Sequence, residues 1–193
     1  MIERFEAISI ILGHVGERDL VLSTTGMISR EVFMAQDRPE NFYMLGSMGL
    51  VSALGLGLAL LVPDRCVVVL EGDGSALMSL GTLALISAES PANLIHIVLD
   101  NEVYESTGGQ PTISHLVDLA AVGRSCGYVL VIYVASVPDL IAALMSCQRS
   151  SGPQLLLVKT SVSPIRAIPR VSHTPIEIRD RFIQCIQSRE ITE

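Results

Sequence analysis

The run Cys66-Val67-Val68-Val69-Leu70 is apolar at every position and stops abruptly at Glu71-Gly72-Asp73-Gly74-Ser75. A strand with apolar side chains on both faces has to be covered on both, which suits a parallel sheet flanked by helices and argues against a half-solvated hairpin. The following residues fit the same plan. Residues 75–89 read as a helix and residues 93–100 as a second buried strand, with Pro91 and Asn93 supplying the turn between them. Asp73 and Asn101 therefore follow two parallel strands, at the carboxyl edge where doubly wound sheets receive their ligands.

Gly-Asp-Gly on its own is most often a turn. In this context it has a second reading, as half of a magnesium–diphosphate site. A hard cation takes oxygen ligands in near-octahedral geometry, commonly one or two side chains with phosphate oxygens and water completing the shell. Asp73 and Asn101 are the candidate side chains, and the Val103 carbonyl is a candidate third ligand. Gly72 and Gly74 predict close backbone approach and unusual dihedrals, and a helix opening at Ser75 would point free N–H groups at the diphosphate.

Elsewhere the same alternation continues. Helices are predicted over 5–13, 28–36, 115–124 and 136–147, with Ser136 as an N-cap and Pro138 and Asp139 suiting the first turn. Strands are predicted over 20–23, 129–134 and 154–159, with a short extended piece at 41–45 and a strand end at Thr24-Thr25-Gly26. Thr174-Pro175-Ile176-Glu177 opens a last amphipathic helix. The expected fold is α/β: one domain over residues 1–193, a doubly wound, mostly parallel sheet of about five or six strands with helices on both faces. Residues 102–114 form a long polar loop, and its 102–112 part, with adjacent glycines, suits a flap over a ligand.

Residues 45–62 carry no charge and reach the length of about 18 residues at which a bilayer span begins. Their glycines and serines and the closing Pro63 favour instead a helix covered on all sides within the domain. A net charge of −7 with only 13 basic residues leaves no cationic footprint for nucleic acid. The 4 cysteines, Cys66, Cys126, Cys147 and Cys185, have no metal-ligand spacing and read as reduced thiols of a cytoplasmic protein. The amino terminus has no cleavage-site pattern of a secretory signal.

Three further segments carry a resemblance: Ser29-Arg30-Glu31, the run from Asp37-Arg38-Pro39-Glu40-Asn41 to Gly46-Ser47-Met48-Gly49, and Asp100-Asn101-Glu102-Val103-Tyr104-Glu105-Ser106-Thr107-Gly108-Gly109-Gln110-Pro111-Thr112. With the Gly-Asp-Gly segment, the chain resembles nearly end to end the thiamine diphosphate enzymes, specifically the diphosphate-binding half of sulfopyruvate and phosphonopyruvate decarboxylases. The resemblance implies thiamine diphosphate and Mg2+ as cofactors, held by Thr25, Gly26, Gly46, Ser47, Met48, Gly72, Asp73, Gly74, Ser75, Asn101, Val103 and Tyr104. It implies that the Gly46 carbonyl and Met48 N–H bond the aminopyrimidine, while the Met48 side chain wedges the two rings together. Packing in the core is the competing role for Met48.

Arg30 is the candidate reader of the substrate's anionic tail, since a guanidinium matches sulfonate, phosphonate or carboxylate oxygens. An ion pair with Glu31 or Asp37 is the alternative. Arg38 and His115 are weaker candidates. Tyr104, Ser106, Thr107 and Gln110 could face the substrate from the flap.

The resemblance also implies a missing part. In this class a glutamate on a separate pyrimidine-binding domain activates the cofactor, and Glu71 lies beside the metal motif rather than over the pyrimidine. The expectation is a β subunit in a hetero-oligomer, completed by an α subunit that brings that glutamate and acting on a small anionic 2-oxo acid. Sulfopyruvate is the first choice and phosphonopyruvate the alternative. A non-catalytic cofactor-binding subunit is a further alternative, as is an acetolactate-synthase-like or oxidoreductase subunit, which would be expected to bring flavin or iron–sulfur partners.

Overall fold

The computed structural model describes residues 1–148, 150–161 and 168–187. Strand β1 (Ile2–Glu3) leads into helix α1 (Arg4–His14), then β2 (Leu20–Ser23), α2 (Met27–Ala35) and β3 (Asn41–Tyr43). Next come α3 (Val51–Leu61), β4 (Val67–Gly72), α4 (Asp73–Met78), α5 (Leu80–Glu89) and β5 (Leu94–Asp100). A small hairpin of β6 (Val103–Tyr104) and β7 (Gln110–Pro111) follows, closed by a 3-10 turn at Glu105–Thr107. The remainder is α6 (Leu119–Cys126), β8 (Leu130–Val134), α7 (Val137–Cys147), β9 (Gln154–Ser161) and α8 (Pro175–Gln187).

The main sheet is 7-stranded, in the order β1-β9-β5-β4-β2-β3 with β8 also on β9, and each of its pairings is parallel. Growth of the sheet reverses at β2: the chain goes outward to β3, then returns to the other side of β2 as β4. A crevice opens at such a reversal because the neighbouring connections leave on opposite faces. The Thr24–Gly26 turn and the Gly-Asp-Gly segment both sit there.

Successive strand residues point to opposite faces, and the core divides accordingly. Val68, Leu70, Ile97 and Leu99 meet α1, α2 and α7 on one face. Val67, Val69, Leu94 and Val98 meet α3, α5 and α6 on the other. Helix α8 runs beside β3, sending Ile178 into the first core and Phe182 into the second, where its ring stands 5.3 Å from that of Phe42. It covers what would otherwise be an open sheet edge. A reciprocal capping box starts α8: the Glu177 N–H donates to Thr174 Oγ1 at 3.2 Å, and the Thr174 N–H donates to Glu177 Oε2 at 2.7 Å.

Several expectations need correction. The helix read over 75–89 opens at Asp73 and breaks at Ser79, where φ is −131°. Its first part stays with the 46–49 turn through Ser75, while the second turns Leu83 and Ile86 into the core. The helix read over 45–62 spans only Val51–Leu61, and it is not covered on all sides: Leu54 and Leu60 are exposed and Leu61 is 75% exposed. Leucines on every side of a helix conceal which face is the inner one. That face is set by Gly55, where a Cβ would lie 2.3 Å from Val69 Cγ2, so α3 can approach β4 only with glycine there.

The helix read over 115–124 begins at Leu119, capped by Asp118, whose carboxylate accepts the Ala121 N–H at 2.9 Å. The polar loop over 102–114 contains an ordered hairpin that folds back on the sheet edge, with the Thr112 N–H donating to the Glu102 carbonyl at 2.8 Å. The four cysteines are free thiols. Among the described residues no helix is long and apolar enough to cross a membrane.

Candidate functional site

Residues from five segments line one pocket at the carboxyl edge of the sheet. Thr24, Thr25 and Met27 come from the end of β2 and the start of α2, Met48 from the turn before α3, and Gly72, Asp73, Gly74 and Ser75 from the β4–α4 junction. Asn101, Val103, Tyr104, Glu105 and Ser106 come from beyond β5, and Arg4 from the start of α1. Gly46 and Ser47 belong to the exposed turn beside this pocket. Gly26 lies in a neighbouring groove that shares Thr25 with the pocket.

Ser75 ties three of the segments together. Its hydroxyl donates to Glu71 Oε1 at 2.6 Å and accepts the Gly49 N–H at 3.0 Å, and Thr24 Oγ1 stands 3.2 Å away. With the hydroxyl so engaged, the Ser75 backbone N–H is the part open to a ligand in the first turn of α4. Glu71 is fully buried, and its second oxygen is 2.9 Å from His96 Nε2. Tyr128 OH stands 3.1 Å from His96 Nδ1. A buried polar chain thus backs the site, and no local pattern in the sequence announces it.

Asp73 is buried, and Thr112 Oγ1 donates to its Oδ2 at 2.5 Å. Burial pushes its carboxyl above the usual range, with the charge of Asp100 acting in the same direction and the Thr112 hydrogen bond opposing both. A bound cation would favour the ionised form of such a group. Asp100 itself serves the scaffold: its Oδ1 accepts from the Ser114 hydroxyl at 3.0 Å and its Oδ2 from Lys159 Nζ at 2.8 Å. Thr112, Ser114 and Lys159 are supports that the sequence reading missed. Thr112 stood inside the quoted motif, and Lys159 is a lone cation at the end of an apolar strand.

The turn after Asn101 depends on Glu102, which holds a left-handed φ of 63°, a conformation costing a non-glycine residue about 1–2 kcal/mol. It lets the Val103 N–H donate to Asn101 Oδ1 at 3.2 Å. Val103 faces Pro111 as a non-hydrogen-bonded pair, because the neighbouring Glu102 and Thr112 carry the hydrogen bond, so the pairing makes no claim on the Val103 carbonyl. Ser47, with φ of 56°, is the second left-handed non-glycine residue in the site, and it shapes the turn between Gly46 and Met48. Strain of this kind persists where surrounding contacts enforce it.

The glycines act differently from the sequence reading. Neither Gly72 nor Gly74 has a positive φ. At Gly74 a Cβ would fall 2.2 Å from the Tyr104 ring, so this glycine makes room for an aromatic neighbour, and at Gly72 a Cβ would meet only Ile28 at 3.5 Å. In the turns that precede the Gly-Asp-Gly segment, Gly26 and Gly49 are the glycines that hold a positive φ, of 96° and 91°.

Met48 belongs to neither core and is 37% exposed at the pocket. Arg30 lines the neighbouring groove of about 370 Å³ with Thr25, Gly26, Arg170 and His173. The suggested ion pairs do not form. Glu31 is taken by Arg4, and Asp37 by Arg181 and His173. Arg38 is structural, donating to the Gly16 and Asp19 carbonyls. His115 bonds the Thr112 carbonyl, and Thr107 and Gln110 bond one another on the exposed tip of the hairpin.

The donor set fits a diphosphate-bound cation. Asp73 and Asn101 offer oxygens, and among the described residues no group of three or more His, Cys, Asp and Glu could hold a metal by itself. An ion placed there has to draw most of its shell from a ligand and water.

The family model "Thiamine pyrophosphate enzyme, C-terminal TPP binding domain" matches residues 24–158, from the end of β2 into β9. The chain belongs to the thiamine pyrophosphate enzymes. It is 44% identical over 179 residues to a phosphonopyruvate decarboxylase of Streptomyces hygroscopicus, covering 93% of this chain and 44% of that protein. It is 43% identical over 185 residues to the sulfopyruvate decarboxylase subunit beta of Methanothermobacter thermautotrophicus, covering 95% of both. The chain thus spans less than half of the first relative and nearly all of the second. In fold it is similar to benzoylformate decarboxylase from Polynucleobacter necessarius, with a TM-score of 0.72 at 19% identity, over 84% of this chain and 34% of that one.

Proposed function

We propose that this thiamine pyrophosphate enzyme chain is a single-domain β subunit of a 2-oxo acid decarboxylase that converts sulfopyruvate to sulfoacetaldehyde and CO2, and that a partner α subunit completes its active sites. The observation that carries this reading is the end-to-end match, at 43% identity, to a protein named as a sulfopyruvate decarboxylase subunit beta. Phosphonopyruvate is the second reading, favoured by the 44% identity to the longer Streptomyces protein. Both substrates end in a tetrahedral oxyanion, so one cationic groove suits either.

When bound, thiamine diphosphate supplies the nucleophilic carbon and the electron sink for decarboxylation. The chain's own residues hold and orient it. Asp73, Asn101 and the Val103 carbonyl take Mg2+, and the N–H groups opening α4 serve the diphosphate. The Gly46 carbonyl and Met48 N–H would hold the aminopyrimidine, and the Met48 side chain would pack against the cofactor's rings. Arg30 reads the substrate's tail.

The activating glutamate comes from the partner. Among the described residues the acids lining the pocket are Asp73 and Glu105, the first assigned to the metal and the second engaged by Arg4. Glu71 is sealed behind Ser75 and His96. Exposed Leu45, Met48, Leu50 and Leu54 lie on and to either side of the 46–49 turn, and apolar surface beside a site suits a protein interface.

The deciding experiment assays the purified chain with thiamine diphosphate and Mg2+, alone and mixed with its partner subunit, against sulfopyruvate, phosphonopyruvate and pyruvate. No turnover alone and restoration on mixing is the expected result. Robust decarboxylation by the chain alone would overturn the split site, and the preferred substrate separates the two readings.

A further inference from the structure

Arg4 is the first residue of α1, yet it is only 4% exposed. Its Nε and Nη2 donate to the two oxygens of Glu31, each at 2.8 Å, and Glu31 is itself fully buried on α2. A fork-to-fork pair of this kind fixes the plane of the guanidinium. The remaining Nη1 donates to Glu105 Oε2. Burial acts to lower the Arg4 pKa, but the Glu31 and Glu105 carboxylates more than offset it and the net shift is upward, so the charge is permanent. Glu105 Oε2 also accepts from Asn101 Nδ2 at 3.2 Å. Arg4, Asn101 and Glu105 all line the pocket that holds Asp73.

An asparagine side chain ends in an oxygen and an NH2 of nearly equal size, and only the oxygen can ligate a hard cation. Nothing in the residue itself selects which end faces the site. An ionised carboxylate only accepts hydrogen bonds, so the NH2 end must turn toward Glu105. Oδ1 is then directed elsewhere, toward the Val103 N–H that donates to it at 3.2 Å, with a second lone pair to spare. We propose that Glu105, held in place by Arg4, is a positioning residue that sets the orientation of the Asn101 amide and so presents its oxygen to the metal of the bound cofactor. This inference rests on the metal–diphosphate reading of Asp73 and Asn101.

The test measures thiamine diphosphate binding by calorimetry over a series of Mg2+ concentrations, on the full chain reconstituted with its partner subunit. The variants are Glu105→Leu, Asn101→Asp and the double variant Asn101→Asp/Glu105→Leu, which has no staple to restore, each with its cofactor-free melting temperature. Glu105 lies on a partly exposed turn, so its variants are expected to fold. Glu105→Leu should weaken Mg2+-dependent binding about ten- to a hundredfold with little change in melting temperature, the usual scale for losing a residue that orients a metal ligand. Asn101→Asp should also bind weakly, because two carboxylates then crowd each other.

The double variant should recover most of that loss, since a carboxylate has two equivalent ends and needs no orienting. A loop staple with no orienting role would show no rescue, and that result would overturn the proposal. Wild-type binding with an unaffected Glu105→Leu variant would overturn it alone. Failure of the wild type to show any Mg2+ dependence would instead remove the metal reading, and this proposal with it.

Discussion

The backbone N–H of Gly49 donates to Ser75 Oγ across 3.0 Å, and the same hydroxyl donates to Glu71 Oε1 at 2.6 Å. One side chain therefore joins the turn carrying Met48 to the helix that begins at Asp73. The two halves of the candidate pocket meet through it. Ser75→Ala should cost about 1–3 kcal/mol, because the Glu71 carboxylate and the Gly49 N–H both lose a buried partner. Cofactor affinity should fall as well, since the turn is no longer tied to α4. Thermal denaturation with calorimetry checks this, and an unchanged affinity would assign Ser75 to stability alone.

Asp73→Ala should abolish Mg2+-dependent binding of thiamine diphosphate and leave the domain folded. Thr112→Val, which removes the hydroxyl bonded to Asp73, should weaken binding without abolishing it. Calorimetry on the reconstituted protein separates a ligand from its support in this way. Equal effects of the two substitutions would count against a ligand role for Asp73.

For Met48 the exposure of 37% makes a specific claim. Burial of a side chain in a core is worth about 2–5 kcal/mol on truncation to alanine, and a side chain this exposed forfeits much less. Met48→Ala should therefore leave the melting temperature nearly unchanged while lowering cofactor affinity and turnover. A large fall in stability with normal cofactor-saturated activity would overturn the wedge.

Arg30 lines its groove beside Arg170. Arg30→Lys keeps the charge and loses the planar fork, so KM should rise for sulfopyruvate or phosphonopyruvate and change little for pyruvate. Steady-state kinetics with all three would show it. An equal rise for pyruvate would make the role structural.

Acid should release α8 before the core. Burial acts to raise the Asp37 pKa, but hydrogen bonds from His173 and Tyr43 and the charge of Arg181 more than offset it and hold the carboxyl below its ordinary value. A depressed folded-state pKa stabilises above the unfolded value of about 3.9, and that stability is lost as pH falls through the folded-state pKa. The hydrogen-exchange protection of Pro175–Gln187 relative to unstructured chain should therefore fall below about pH 4. Asp37→Asn should flatten that dependence, and an unaltered profile in the variant would place the acid sensitivity elsewhere.

The layout was legible in local pattern. Aliphatic runs closed by Gly-Asp-Gly and by Asn101 require covered parallel strands, and such strands can end only at one edge of the sheet, so Asp73 and Asn101 were placed together by local pattern alone. The same held for β2, for α7 with its Ser136 cap and for α8 with its Thr174 cap, because caps and alternation act within a few residues.

What lies between those points depends on long-range packing. Leucines all around α3 do not say which face turns inward until Gly55 meets Val69. Arg4 meets Glu31 and Glu105, Thr112 meets Asp73, and Ser75 meets Gly49 only once strand register and helix packing bring distant residues together. The left-handed backbone at Ser47 and Glu102 is likewise imposed on residues whose own preference is against it. Contacts of this kind depend on where the chain returns in space, and local sequence holds no record of that.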